Sequence, residues 1–260
     1  MFFRGVGEVA AVRSQLRQTG GIVASVLWGV APAAGDIVVA QDSALEVRVT
    51  IASAIVCGSA PGRLTIPAAS SARGNALAGY VESPEPDDAV AAFFEDSAAG
   101  TWLTLHVASA PASGGACPSF PSVVSLWTIE LREPLVVPVG TTLRFTRPLR
   151  LSLYRASDNR WYLGARDWNG TSQRFNTIQP VAGPLRPYSL VEFETGLLFT
   201  YQDATGALLS DLADTRRIAS IRIVARGSST RVVRLAPTVS QPNGTYLDSA
   251  RLLVGLRNSR

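Results

Sequence analysis

His106 is the only histidine in the chain, so any imidazole-based proton transfer near neutral pH must pass through this one ring. It lies in TWLTLHV, where alternation puts it on a strand face with Trp102 and Thr104, opposite Leu103, Leu105 and Val107. No G-x-S-x-G or comparable nucleophile motif accompanies it, and it reads as a surface strand histidine. A second concentration of reactive groups is acidic: Glu82, Glu85, Asp87, Asp88, Glu95 and Asp96 lie close together in sequence. Carboxylates so grouped could offer hard oxygen ligands to calcium. Their spacing fits no calcium loop, and Pro84 and Pro86 stiffen the segment, so the expectation is a solvated acidic loop without a metal. Cys57 and Cys117 are the only cysteines, too few even with His106 for a four-ligand zinc site. Their separation and their Gly/Ser/Pro-rich surroundings suit one long-range disulfide, with two buried free thiols as the alternative. A bridge implies an oxidising compartment such as the periplasm or cell surface.

The glycines form neither a G-x-x-x-x-G-K nor a strand-linked G-x-G-x-x-G phosphate cradle. Asn169-Gly-Thr and Asn243-Gly-Thr match the glycosylation triplet, but N-G pairs are first of all turn formers. Trp161, Tyr162, Trp168, Phe175 and Tyr188 could stack on sugars or bases; strand alternation points instead to rings turned towards a core. No catalytic, cofactor-binding or metal-binding residue is expected.

The elements that would position such groups are mostly short strands. The chain has 260 residues and 27.5 kDa, enough to bury a core as one large domain or two small ones. Hydrophobic residues make up 47%, yet no run approaches the roughly 18–20 apolar residues of a membrane-spanning helix. The opening MFFRGVGEV has too short an apolar stretch for a signal peptide. All 24 Lys-plus-Arg positions are arginine, set against 20 acids for a net charge of +4. Scattered arginines of this kind fit the codon usage of a GC-rich genome and argue against a nucleic-acid partner.

In VGEVAAVRSQLRQTGGIVASVLWGV, Val9, Val12, Leu16, Val23 and Leu27 recur mostly at three- and four-residue steps and define one packing face of a helix. Gly20-Gly21 should weaken or bend it, and Gly29 and Pro32 end it. Strands are expected at 37–39, 45–51, 54–56, 63–66, 89–94, 101–107, 123–129 and 142–145. The series continues at 149–155, 160–165, 196–202, 218–225, 231–235 and 252–256. Residues 82–88 and 108–122 are expected as loops. With no second helix for crossovers, the fold expected is α+β: an N-terminal α-helix (1–31) followed by a predominantly antiparallel, single-domain β-sheet head (32–260).

The order of features resembles a known family. The VRSQLRQ helix, the G-D-I turn, LEVRVTI, then LSLYR…RWYLGARD, I-Q-P-V at 178–181, LLFTYQDATG at 197–206, IASIRIVARG at 218–227 and DSARLLVGLRN at the end are similar to type IV pilin-like proteins. Within them the likeness is to PilW-like minor pilins and the J-type pseudopilins of type II secretion. The family's leader, with a Gly before a Phe and an apolar run carrying a glutamate, does not appear, and Glu8 lacks an apolar helix around it. The residues from Gly7 on look like the distal half of a pilin helix, the upstream half missing through truncation, misplaced gene start or loss. The resemblance implies a non-enzymatic structural or assembly subunit of a type IV pilus or secretion-like filament in the cell envelope, periplasmic or extracellular. Its partners would be other pilin or pseudopilin subunits met through the N-terminal helix, and it would reach the membrane only through the missing upstream segment. The competing reading is a secreted or surface binding module that holds carbohydrate or nucleic acid on the aromatic hairpin 149–168.

Overall fold

A computed structural model describes residues 2–69, 77–94, 101–118, 125–231, 233 and 244–256. The chain begins with α1 (Phe2–Leu27), β1 (Ile37–Ala40), β2 (Ala44–Ile55), β3 (Gly58–Ala60), β4 (Arg63–Pro67), β5 (Ala78–Tyr80), β6 (Ala89–Phe94) and β7 (Thr101–His106). It continues with β8 (Ala112–Ser113), β9 (Leu126–Glu130), β10 (Thr142–Arg155), β11 (Trp161–Asn169), β12 (Arg174–Phe175), β13 (Gln179–Leu185), β14 (Leu197–Gln202), β15 (Ser220–Ser228) and β16 (Leu247–Gly255). Single 3-10 turns occupy Pro32–Ala34 and Thr215–Arg217. The expected strand at 231–235 and the end of the expected loop 108–122 fall largely outside the described residues, as do Glu95, Asp96 and Asn243.

The expected α+β class is corrected by these elements. Among the described residues strand accounts for 47% and helix for 14%, so they are mainly antiparallel β with one α-helix, rather than a helix followed by a small sheet head. Two interruptions that read as strand ends are crossed without a break. β2 runs 12 residues through Ala52-Ser53, where β5 pairs with it. β10 runs 14 residues through Arg147-Pro148. Five strands lie outside the expected strand ranges, one of them (AS) inside the expected loop 108–122: GSA, AGY, AS, RF and QPVAGPL carry few of the β-branched and aromatic residues that mark a strand.

The chain forms two compact units. The first comprises 1–47, 149–166 and 177–260, the second 48–148 and 167–176. In the first, β14, β15 and β16 form an antiparallel sheet in that order, β1 pairs with β2, and β13 pairs with β11. α1 packs on β13, β15 and β16. Val12, Leu16, Thr19, Val23 and Leu27 are buried along it, while Val9 is half-buried. The three- and four-residue steps therefore mark the side laid on the chain's own sheet. Each of these aliphatic side chains contributes about 1.5–3 kcal/mol of burial as an upper value. The Thr19 hydroxyl is satisfied by the Gln15 carbonyl at 2.9 Å. Helical hydrogen bonding continues through Gly20-Gly21. Beyond Leu27 the chain turns on Asp36, whose carboxylate accepts the Ala31 N–H at 2.8 Å.

In the second unit β3, β4, β9 and β8 form one antiparallel sheet, the β6–β7 hairpin pairs with β10, and β12 pairs with β11. Its core gathers Ile51, Leu64, Ile66, Val90, Leu105, Ile129, Leu143 and Phe145. Cys57 and Cys117 are joined by a disulfide with their Cα atoms 4.7 Å apart, linking positions 60 residues distant. Tyr80 meets Trp127 edge to face at 5.2 Å. Burial pushes its hydroxyl well above the ordinary phenol value, and the hydroxyl donates to the Pro67 carbonyl.

Candidate functional site

The acidic segment ESPEPDD is held rather than loosely solvated. Its backbone is tied at both ends: Val81 and Glu82 N–H groups donate to the Ile51 carbonyl, while Asp87 N–H donates to Val107 and Val107 N–H to Asp88. The chain can turn there because Asp87 adopts φ 71°, a conformation that Asp tolerates better than most residues. From β10, Arg147 reaches into the segment. Its Nε and one terminal nitrogen bind the two oxygens of Asp88 at 2.9 and 2.8 Å, its other terminal nitrogen binds Glu82 at 2.6 Å, and Glu85 lies at 3.6 Å. Asp88 also accepts the Glu85 N–H at 2.6 Å. Asp88 hydrogen bonding first, against the opposing effect of burial, raises the guanidinium above its ordinary value. Asp87 is taken by Arg132 and by Gln173 at 3.0 Å.

Each of the four described carboxylates of the cluster thus faces an arginine, which replaces the charge a cation would bring. Among the described residues no group of three or more His, Cys, Asp or Glu side chains is arranged to hold a metal. Arg147 itself carries no mark in the sequence.

His106 and Glu133 form a second pair. The ring Nδ1 lies 2.8 Å from Oε1, and the His106 backbone N–H donates to Oε2 at 2.8 Å. Burial pushes the Glu133 carboxyl up, but the hydrogen bonds from the His106 side chain and backbone together hold it below the usual carboxylate value. Among the described residues the ring meets Glu133 and no hydroxyl or thiol, so the geometry of a nucleophile activated by a base is not built here.

The aromatic set divides. Trp168 and Phe175 pair edge to face, centroids 5.2 Å apart at 81°. Tyr162 lies 6.4 Å from Tyr154 and donates to Asp158 at 2.7 Å, while Tyr188 donates to Asp42 at 3.2 Å. Trp161, Tyr162, Trp168 and Phe175 are half-buried and Tyr188 exposed, an intermediate state between core and open platform. Asn169 accepts the Ser172 N–H at 2.8 Å, the side-chain-capped turn expected of its N-G pair.

The described residues define a disulfide-closed, mainly antiparallel β protein with one helix laid against its β14–β16 sheet. No family model matches the chain, and neither a curated protein nor a solved structure matches it. No helix among the described residues is long and apolar enough to cross a membrane.

Proposed function

We propose that this chain is a non-enzymatic subunit of a type IV pilin-like filament, a minor pilin or pseudopilin, associating through α1. The observation that carries this reading is the division of labour on the helix. Val12, Leu16, Val23 and Leu27 are committed to the chain's own sheet. The opposite side exposes Gly7, Ala11, Ser14, Gln18, Gly21 and Ser25, at alternating steps of four and three residues, with the Gln18 amide reaching back to donate to the Val181 carbonyl at 3.4 Å. That spacing is the seam of two helices wound together, and small side chains let their axes approach closely. A partner helix would therefore meet this second stripe. The order of sequence features resembling the family, and a disulfide suited to an oxidising compartment, support the same reading. The aromatic-hairpin binding module draws less support, because Trp168 and Phe175 turn edges to each other rather than presenting parallel faces.

The test is crosslinking from the stripe. Ser14→Cys and Ser25→Cys, treated with a short bismaleimide in intact cells, should give adducts to the N-terminal helices of other pilin-like subunits. Arg222→Cys, on a sheet face turned away from the helix, should not. A monomer at every crosslinker dose, or adducts from all three positions alike, would remove the reading.

A further inference from the structure

The sheet β14–β15–β16 has two faces. Gly227 meets Val12 and Leu16 of α1: a Cβ added there would lie 3.2 Å from Val12 Cγ1 and 3.5 Å from Leu16 Cδ2. By alternation Ile221, Ile223 and Ala225 share that covered face, and Arg222, Val224 and Arg226 point away from the helix. The register sets Leu198, Val224 and Arg251 in one row across the outer face, and Thr200, Arg222 and Leu253 in the next. On the β16 side these rows end in Arg251, which is exposed, and in Leu253, which is 55% exposed. Arg226 is already engaged, since its guanidinium donates to the Thr195 carbonyl at 2.9 Å.

On the β14 side the same rows end in a cleft of opposite character. The Asp42 carbonyl accepts the Phe199 N–H at 2.6 Å, and the Leu209 N–H donates to the Tyr201 carbonyl at 2.9 Å, both at the edge of β14 that β15 does not pair. Asp42 and Leu209 line a cleft of about 460 Å³ with Leu190, Leu208, Leu212 and Glu192. Leu190 and Leu208 are 92% and 67% exposed, aliphatic side chains at a surface that call for cover. The lining holds two carboxylates and no basic side chain. Asp42 accepts hydrogen bonds from the Tyr188 and Ser43 hydroxyls, neutral donors that leave its charge in place. Among the described residues Asp42, Glu192, Arg222 and Arg251 make no ion pair. One side of this face is therefore apolar and acidic, the other apolar and basic.

We propose that the cleft is covered by a second copy of this chain, the two joined as a two-fold dimer through the outer face, with Leu253 of one copy in the leucine cleft of its partner and Arg251 on the partner's Asp42. A dyad running along the strands between β14 and β15 lays the β16 side of one copy on the β14 side of the other and keeps each row at its own level. Arg251 stands one strand beyond β15, and Asp42 is bonded to β14 one strand spacing beyond it, so the two lie equally far from that dyad. Their levels agree as well, because Asp42 sits against Phe199, between the row of Arg251 and the row of Leu253. The contact is made twice and pairs charges that have no counterion within the chain. It is independent of the filament reading, which uses the stripe on α1.

Sedimentation equilibrium of the purified full chain from about 1 to 200 μM tests it. A monomer–dimer equilibrium is expected, weakening as salt rises from about 0.05 to 0.5 M. Arg251→Glu and Asp42→Lys should each weaken the dimer about tenfold or more, since each sets like charges against one another in both halves. An equimolar mixture of those two variants should recover it, because the mixed dimer has one native pair and one reversed pair. Leu253→Asp should remove it, and the melting temperature of each variant shows whether it is folded. A monomer up to about 200 μM, a dimer indifferent to Arg251 and Leu253, or no recovery on mixing overturns the proposal. A dimer lost on Ser14→Arg but kept by Arg251→Glu is the helix contact of the filament reading, and overturns this one alone. A chain that stays monomeric yet binds dodecylammonium in calorimetric titration overturns it too, and makes the cleft a pocket for a cationic amphiphile.

Discussion

Arg147 and Asp88, 59 residues apart in the chain, meet as a two-pronged ion pair with Nε to Oδ1 at 2.9 Å and a terminal nitrogen to Oδ2 at 2.8 Å. Their side chains are 9% and 1% exposed. A carboxylate at that depth is tolerable only while the guanidinium and the Glu85 N–H satisfy it. Arg147→Met keeps the stem but strands the charge, and should destabilise folding by about 3–5 kcal/mol. Pairing it with Asp88→Asn, which retains an acceptor for Glu85, should recover most of that loss. Urea unfolding of the two single variants and the double gives the coupling directly, and simple additivity would show that the pair acts as two independent surface groups.

Much of this arrangement could be read ahead, and its limits have physical causes. Periodicity at Val12, Leu16, Val23 and Leu27 exposed the buried side of α1, because a helix records its environment locally. Strands β6 and β7 were legible from AVAAFF and TWLTLHV for the same reason. What escaped depends on pairing across long separations. Nothing in ESPEPDD says that an arginine from β10 enters it, and nothing in SIRIVARGS says that Arg222 and Arg226 will share a face with Arg251 until the register Val224↔Arg251 is known. The continuity of β10 through Pro148 was hidden because the missing N–H of proline reads as a strand end. The class was misjudged for a related reason: strands without β-branched residues, such as β3 and β8, exist because neighbours pair with them.

The bridge between Cys57 and Cys117 closes a loop of 60 residues. Constraint of the unfolded chain by a loop of that size is worth about 4 kcal/mol. Cys57→Ala with Cys117→Ala should lower the melting temperature accordingly, and reductant should lower that of the wild type towards the same value. Unfolding by guanidinium with and without reductant measures this; an unchanged midpoint would mean that the second unit holds itself closed without the covalent tie.

Gly227 sets how closely α1 lies on β15. Its φ is not in the left-handed region, so the constraint is space: a Cβ would press on Val12 and Leu16 at 3.2 and 3.5 Å. Gly227→Val should cost about 1–3 kcal/mol by overpacking. Val12→Ala in the same chain opens room and should return part of it, although Val12→Ala alone is destabilising. A double-mutant cycle by thermal unfolding gives the sign of the coupling. If the valine is equally harmful in both backgrounds, the helix–sheet distance is set elsewhere.

The Glu133 carboxylate has a folded-state pKa depressed below its ordinary value by its two hydrogen bonds from His106, which outweigh burial. A depressed carboxylate binds protons less readily folded than unfolded, so its contribution is complete above the unfolded value near about 4.3 and is lost as pH falls through the folded value. Glu133 is 35% exposed, so solvent screening keeps the effect to about 1 kcal/mol or less. Melting temperatures taken from about pH 7 to pH 3 should fall on the acid side, as Asp158, Asp203 and Asp248 are depressed in the same sense. Glu133→Gln should be less stable than the wild type at neutral pH and converge on it in acid, because the glutamine has no proton to take up. A constant gap between the two curves across the acid range would assign the Glu133 effect to packing rather than to its charge.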